Sequence, residues 1–353
     1  MNYLNKIYSN LEKKLDFVDL GSFPTPVEKI DSLERAFGKS VFIKRDDLSG
    51  KIYGGNKVRK LEYLFGEIIS KGYDTVLTSG AAGSNHALAV SAYSSSLKIK
   101  SILMLFAQPY NPLIPKNLLA DSFFGSEIHY DETWEEHCKS IRKMVESYKQ
   151  NQKPLYVIPP GGSSGLGTVG YVNAAFELRN QIDTNVVSEP VSMFVPLGTC
   201  GTAAGLILGM KASGIKSKLI AVNVVSPSLS NFEKVGELFE SANRLLHDID
   251  NRFPICSLKR SDIEVNDSYI GRGYGETTPE ASFVSEHFLE SDNIHLETVY
   301  SGKAFAAFYD EIKSGFGNNS LFWDTKSSVP LPPESLEQDF RKLPDPLHKY
   351  FEN

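Results

Sequence analysis

The amino-acid sequence predicts an α/β protein with mostly parallel open sheets and helices on both sheet faces, and three observations predict it. Short runs of β-branched and large apolar residues alternate with longer helical patterns along nearly the whole chain. Glycine-rich turns, such as Ser79-Gly80-Ala81-Ala82-Gly83-Ser84 and Leu197-Gly198-Thr199-Cys200-Gly201, stand where an apolar run passes into a helical pattern. No internal repeat or low-complexity tract interrupts the alternation.

In chain order, the expected strands are 41–44, 75–78, 101–105, 155–158, 193–196, 219–224 and 320–323, each a short run rich in Val, Ile, Leu or Phe. Between and after them, helical spacing predicts helices near 57–70, 85–96, 115–124, 133–150, 167–182, 203–213, 230–248, 279–289 and 302–314. The tail from Ser327 carries Pro330, Pro332, Pro333, Pro344 and Pro346 among charges and reads as a wrapped or loose extension.

The 353 residues suffice for one large or two modest domains with a real core. Formal charge is −6, from 37 basic and 43 acidic residues without a basic stripe, which argues against a nucleic acid or an anionic membrane as partner. Cys138, Cys200 and Cys256 are widely spaced, which suits a reducing compartment and argues against a structural zinc site; no metal is expected. No stretch resembles a signal peptide or a membrane span, so the expectation is a soluble cytoplasmic protein.

Gly54-Gly55-Asn56-Lys57 places a lysine at the first position of a helix, with Asn56 as the expected N-cap. The glycines allow backbone to approach a flat ligand. The positive helix end, with Arg59 and Lys60 nearby, disfavours an ammonium and favours a nucleophilic amine, as a Schiff base requires. By itself this motif equally admits a phosphate-binding or solvated lysine.

The run Val191–Pro196 leads into Leu197-Gly198-Thr199-Cys200-Gly201-Thr202-Ala203-Ala204-Gly205, so strand, glycine-rich turn and helix start form an anion cradle. Amides from Thr199 through Cys200 and Gly201 to Thr202, with the two threonine hydroxyls, suit one phosphate monoester. The spacing lacks the dinucleotide and P-loop signatures.

These motifs, with Ser79 to Ala87, Arg272 to Glu280 and Val299 to Phe305 in the same order, resemble the pyridoxal-phosphate enzymes that include 1-aminocyclopropane-1-carboxylate deaminase and D-cysteine desulfhydrase. The likeness runs from about Phe23 to about Thr325. It implies two three-layer α/β/α domains of the fold-type-II, tryptophan-synthase-β-like kind, with pyridoxal 5′-phosphate in the cleft between them. Residues 1–63 and 168–353 would form a large cofactor-binding domain, with 327–353 as extended tail, and 64–167 a small substrate-side domain. A homodimer is what the relatives imply.

The resemblance assigns the Schiff base and the α-proton to Lys57, the ring orientation to Asn85 and the substrate carboxylate to Ser84 and nearby amides. Tyr274 and Tyr300 match tyrosines near the substrate and would act as acids once nearby cations lower their pKa. His86 lies on the substrate side, read as a hydrogen-bonded structural histidine in preference to a base. Thr325, with Ser301 second, is the expected partner of the ring nitrogen, unless the Asp324 carboxylate reaches the ring.

The chain departs from the family at several positions. Ser301 replaces the glutamate of ring-opening deaminases, which favours β-elimination. Gly83 stands where a glutamine amide usually binds substrate carboxylate, Leu88 lies near a usually basic position, and Lys326-Ser327 replaces a glycine pair. The resulting expectation is a lyase or deaminase that eliminates a β-substituent from a small amino acid, giving a keto acid and ammonia. Ring opening, β-replacement, racemisation and a catalytically silent cofactor or amino-acid binding protein are the alternatives.

Overall fold

The structure, a computed structural model, describes residues 2–315 and 317–352. The described residues form two open sheets. The larger holds β1 (Val27–Lys29), β2 (Phe42–Arg45), β7 (Ser192–Leu197), β8 (Lys218–Asn223), β9 (Ile263–Asn266) and β10 (Ser320–Asp324), in the order β1-β2-β10-β7-β8-β9. The smaller holds β3 (Thr75–Ala81), β4 (Lys100–Phe106), β5 (Glu127–Asp131) and β6 (Tyr156–Ile158), in the order β5-β4-β3-β6. All pairings are parallel except β1 with β2.

The expected strands form because their apolar runs lie where both sheet faces are covered: all six residues of β7 are buried. On one face of the larger sheet, Met193, Val195, Leu219 and Trp323 pack beneath the helices Gly165–Asp183 and Gly201–Ser213. On the other, Phe194, Ile220 and Phe322 meet Phe288, Phe305 and Phe308 of the helices Pro279–Asp292 and Ser301–Lys313. Three strands lie outside the sequence expectation, β1, β5 and β9, and each is an edge strand. An edge pairs on one side only, so Val27–Lys29 and Glu127–Asp131 carry polar residues and no continuous apolar run.

The helix Lys57–Ser70 joins the two cores. Val58, Leu61, Leu64, Phe65 and Ile68 pack with Val76 and Ile158 of the smaller sheet, while Tyr63 enters the core of the larger one. It crosses the helix Gly165–Asp183 closely. A Cβ at Gly170 would lie 2.1 Å from the Arg59 carbonyl oxygen, so only glycine permits this crossing.

Beneath that crossing lies a buried ionic cluster. Arg59 donates to both oxygens of Asp46, at 2.7 Å each, and to Glu177 at 2.9 and 3.0 Å. Lys44 donates to Glu177 at 2.5 Å and to Gln181 at 2.8 Å. Tyr171 and Trp323 donate to Asp46 at 2.7 and 2.8 Å. Two cations face two carboxylates, so the helix bearing Lys57 is fixed to β2, β10 and its neighbour by directional, charge-assisted bonds.

The C-terminal extension is wrapped. Leu343, Leu347 and Tyr350 pack with Ala82, Ala87, Leu103, Leu105, Ile114 and Leu118 of the smaller sheet and its helices.

Candidate functional site

Lys57 begins its helix directly after a loop stitched to the end of β10. Gly54 N–H donates to Ser327 Oγ at 2.8 Å, and Asn56 N–H to the Thr325 carbonyl at 2.9 Å. A Cβ at Gly54 would lie 2.1 Å from the Asp47 carbonyl oxygen, and one at Gly55 (φ +85°) 2.7 Å from that of Thr325. The glycines thus serve backbone packing against the chain itself, which corrects the expectation that they clear space for a ligand. Ser327, where the family has glycine, contributes a bond to the same contact.

Asn56 is not an N-cap. Its backbone is helical (φ −65°, ψ −13°) and its side chain makes no cap bond. Instead its Oδ1 accepts from Lys57 Nζ at 2.6 Å and its Nδ2 donates to Thr202 Oγ1 at 3.0 Å. One asparagine therefore spans the distance between the lysine amine and the phosphate loop. Burial holds the Lys57 ammonium down to a pKa of about 8. Arg59, expected to contribute, is instead neutralised by Asp46 and Glu177.

The loop after β7 turns at Cys200 in the left-handed region (φ +64°) and opens the helix Gly201–Ser213. Of the expected donors, Gly201 is spent, since its N–H donates to the Thr199 carbonyl at 2.8 Å. Its contribution is space: a Cβ there would lie 2.7 Å from Ser163 Oγ and 2.9 Å from Lys60 Nζ. Cys200 contributes backbone only, because its thiol lies 3.3 Å from Ser230 Oγ and burial keeps it protonated. Thr199 Oγ1 lies 2.7 Å from Ser163 Oγ.

Two groups here escaped the sequence reading. Lys60 Nζ donates to the Gly161 carbonyl and to Ser163 Oγ, both at 3.1 Å, and has no carboxylate partner among the described residues. Burial, and after it Lys57, pushes its pKa well below the ordinary lysine value. The signal was present, since residues three apart on a helix share a face and Lys57 points to this site. Ser163 comes from the glycine- and serine-rich turn Gly161-Gly162-Ser163-Ser164-Gly165 before the next helix, a strand-to-helix signal that the sequence reading passed over.

On the opposite side, Ser84 caps the helix Asn85–Leu97, accepting from Ala87 N–H at 3.2 Å. Asn85 Oδ1 accepts from Tyr53 Oη at 3.0 Å and from Asn117 Nδ2 at 3.2 Å, which turns its own Nδ2 free to donate. His86 is buried with Nε2 2.9 Å from Thr78 Oγ1, and burial, with Lys57 and Lys60, holds it neutral. Tyr274 and Tyr300 are hydrogen-bonded through their hydroxyls and face a pocket lined also by Gly83, Asn85, Gln108 and Asn111. Their pKa values are raised by burial, contrary to the expected lowering, so both phenols stay protonated at neutral pH.

Ser301 is fully buried at the start of its helix, its Oγ accepting from Glu297 N–H at 3.0 Å. The Glu297 carboxylate, a further residue missed in the sequence, accepts from the N–H groups of Val299, Tyr300 and Ser301 at 2.6–2.8 Å and so fixes that turn. Asp324 is buried beside Thr325, its Oδ1 accepting from Lys326 N–H at 3.3 Å and its Oδ2 unpartnered. Burial and the nearby Asp47 hold it protonated, so it supplies no negative charge to a ring nitrogen.

A family model described as "Pyridoxal-phosphate dependent enzyme" matches residues 18–320. The chain belongs to this family. It is similar to a Pyrococcus horikoshii protein provisionally named 1-aminocyclopropane-1-carboxylate deaminase, with 33% identity over 91% of this chain and 94% of the relative. It is 30% identical to the D-cysteine desulfhydrase of Serratia proteamaculans, over 86% of this chain and 91% of that protein. A solved structure titled as an ACC deaminase homologue superposes with a TM-score of 0.78 at 32% identity, covering 92% of this chain and 95% of that one. Pyridoxal phosphate is the cofactor, and the class is that of the pyridoxal-phosphate-dependent lyases and deaminases.

The residues present fit the cofactor of this pyridoxal-phosphate enzyme. Lys60 is a buried amine whose charged form has no carboxylate beside it among the described residues, and Ser163, Thr199 and Thr202 bring three hydroxyls to a helix N-terminus near it. A phosphate there supplies the missing charge. No helix among the described residues is long and apolar enough to cross a membrane.

Proposed function

We propose that this enzyme removes a β-substituent from a small amino acid by α,β-elimination, as a D-cysteine desulfhydrase does, acting in the cytoplasm as a homodimer. The observations that support the reading are a lysine amine whose ammonium burial holds down to a pKa of about 8 and, on the pocket beside Asn85, a phenol pair kept protonated by burial. We divide the chain into a large cofactor-binding domain, 1–63 and 168–353 with 327–353 as tail, and a small substrate-side domain, 64–167. Strands β3 to β6 fall in the small part and the remaining six in the large one, which supports the division.

Bound pyridoxal phosphate supplies an electron sink for the substrate α-carbon. Lys60, Ser163, Thr199 and Thr202 would hold the phosphate, Asn85 Nδ2 would be the donor for the ring oxygen, and Ser301 or Thr325 would offer a neutral hydroxyl to the ring nitrogen. Lys57 Nζ takes the α-proton. The Tyr274 hydroxyl, which accepts from Tyr300, donates a proton to the departing β-group. Loss of both leaves an enamine, which water converts to keto acid and ammonia. Ser84 donates its hydroxyl proton to the substrate carboxylate while its oxygen keeps the helix cap.

The test is product analysis with D-cysteine, L-cysteine and 1-aminocyclopropane-1-carboxylate. Sulfide, ammonia and keto acid in equal amounts from a cysteine support elimination. The names of the Pyrococcus relative and of the solved homologue favour ring opening as the second reading, which predicts ammonia from the cyclopropane and no sulfide from either cysteine. A cofactor spectrum that shifts with amino acids without product would indicate a silent binding protein.

A further inference from the structure

We propose that Gln108 binds the substrate carboxylate, taking over the task of the side chain that Gly83 lacks, and that Tyr350 in the C-terminal extension positions it. The proposal rests on the reading that an amino acid occupies this pocket.

Three observations carry it. Gln108 lines the pocket with Asn85, Tyr274 and Tyr300, beside Gly83. Gly83 N–H donates to Gln108 Oε1 at 3.3 Å, and a Cβ built on Gly83 would lie 3.2 Å from Gln108 Nε2 and 2.9 Å from Ile114. The Gln108 amide therefore borders the space that a side chain at position 83 would enter, and would have to give way by a few tenths of an ångström to admit one. With Oε1 anchored, Nε2 is the end left over, and it has no acceptor among the described residues. An amide N–H with no partner at a pocket lined by no lysine or arginine is the group a carboxylate would accept from. The acidic Glu297 also lines the pocket, but its oxygens already accept three backbone N–H bonds.

Gln108 sits on the loop after β4, and its backbone is gripped from outside. Its N–H donates to Tyr350 Oη at 3.3 Å, and Tyr350 Oη donates to its carbonyl at 3.1 Å. Tyr350 is 4% exposed and packed with Leu343 and Leu347 against the smaller sheet. The extension thus holds both backbone groups of the residue that reads the carboxylate. Rearward support of this kind is what keeps a loop-borne contact in register.

The experiment titrates the holoenzyme with D-serine, L-serine and ethanolamine, the amine that lacks only the carboxylate, and follows cofactor absorbance. Gln108→Ala is expected to weaken serine binding about 10- to 100-fold, the range of one hydrogen bond to a charged group, and to leave ethanolamine within about twofold. Gln108→Glu is expected to abolish serine binding and spare ethanolamine. Tyr350→Phe weakens serine by a smaller factor, again with ethanolamine unchanged, and raises KM for the substrate more than it lowers kcat. Equal losses for serine and ethanolamine, or none for serine, would overturn the proposal. Wild-type holoenzyme that responds to neither serine nor cysteine would instead overturn the amino-acid reading of the pocket, and this inference with it.

Discussion

Replacing Arg59 with methionine tests whether the buried ionic cluster holds the lysine-bearing helix in place. Arg59 is 1% exposed and donates five hydrogen bonds, two to Asp46, two to Glu177 and one to Thr25. Methionine keeps the stem's volume but leaves two carboxylates facing the single cation Lys44. Breaking a buried pair by removing one partner costs about 3–5 kcal/mol. For a chain of this length that corresponds to a fall in apparent melting temperature of about 4–7 °C. The pH dependence carries a second signature. Glu177 has a pKa held down to about 2, chiefly by Arg59 against the cost of burial, so its stabilisation is present above its ordinary pKa near 4.5 and lost as pH falls toward 2. In the variant that carboxyl protonates more readily, and the gap to wild type narrows as pH falls from 7 to 4. Thermal unfolding followed by circular dichroism measures both effects, with the exposed pair Arg341–Asp339 as control, where Arg341→Ala is expected to leave the melting temperature unchanged. A variant within about 1 kcal/mol of wild type at pH 7 would refute the reasoning.

Other perturbations reach other parts of the account. Lys60→Met should weaken pyridoxal-phosphate affinity about 10- to 100-fold in a titration of cofactor-free protein, the loss of one charge-assisted bond to the phosphate, with unchanged thermal stability of that cofactor-free protein or a gain. Glu62 is buried with its pKa raised to about 8, so its stabilising state is the protonated one, fully present below its ordinary pKa and lost as pH climbs through 8. Glu62→Gln should therefore gain on wild type between pH 5 and pH 8, by up to about 5 kcal/mol in denaturant unfolding, while still accepting from Leu20 and Gly21 N–H. Leu347→Ala, at a fully buried position of the C-terminal extension, should lose about 2–5 kcal/mol of the extension's docking energy, read as faster proteolysis after residue 327.

What could be read from the sequence was whatever a local pattern encodes. Runs such as Met193–Pro196 became interior strands because both faces are covered, and the glycine-rich turns before Gly201 and Asn85 became helix starts. Edge strands β1, β5 and β9 were illegible, since one-sided pairing imposes no apolar run. The site divided in the same way. Lys57 and Thr202 stood out through their turns and Lys60 lies three residues further along the same helix as Lys57, whereas Ser163, Glu297 and Gln108 come from elements whose convergence only the fold determines. The expected N-cap bond of Asn56 is absent: a cap geometry needs extended backbone, and the contact with Thr325 holds this residue helical.

The claim on which the rest depends is that the amine at position 57 bonds the cofactor aldehyde. Borohydride reduction of the holoenzyme, followed by digestion and mass spectrometry, locates that bond directly. The account requires a reduced pyridoxyl group on Lys57 and none on Lys57→Ala protein. Attachment to Lys60, or a reducible linkage that survives Lys57→Ala, would contradict it.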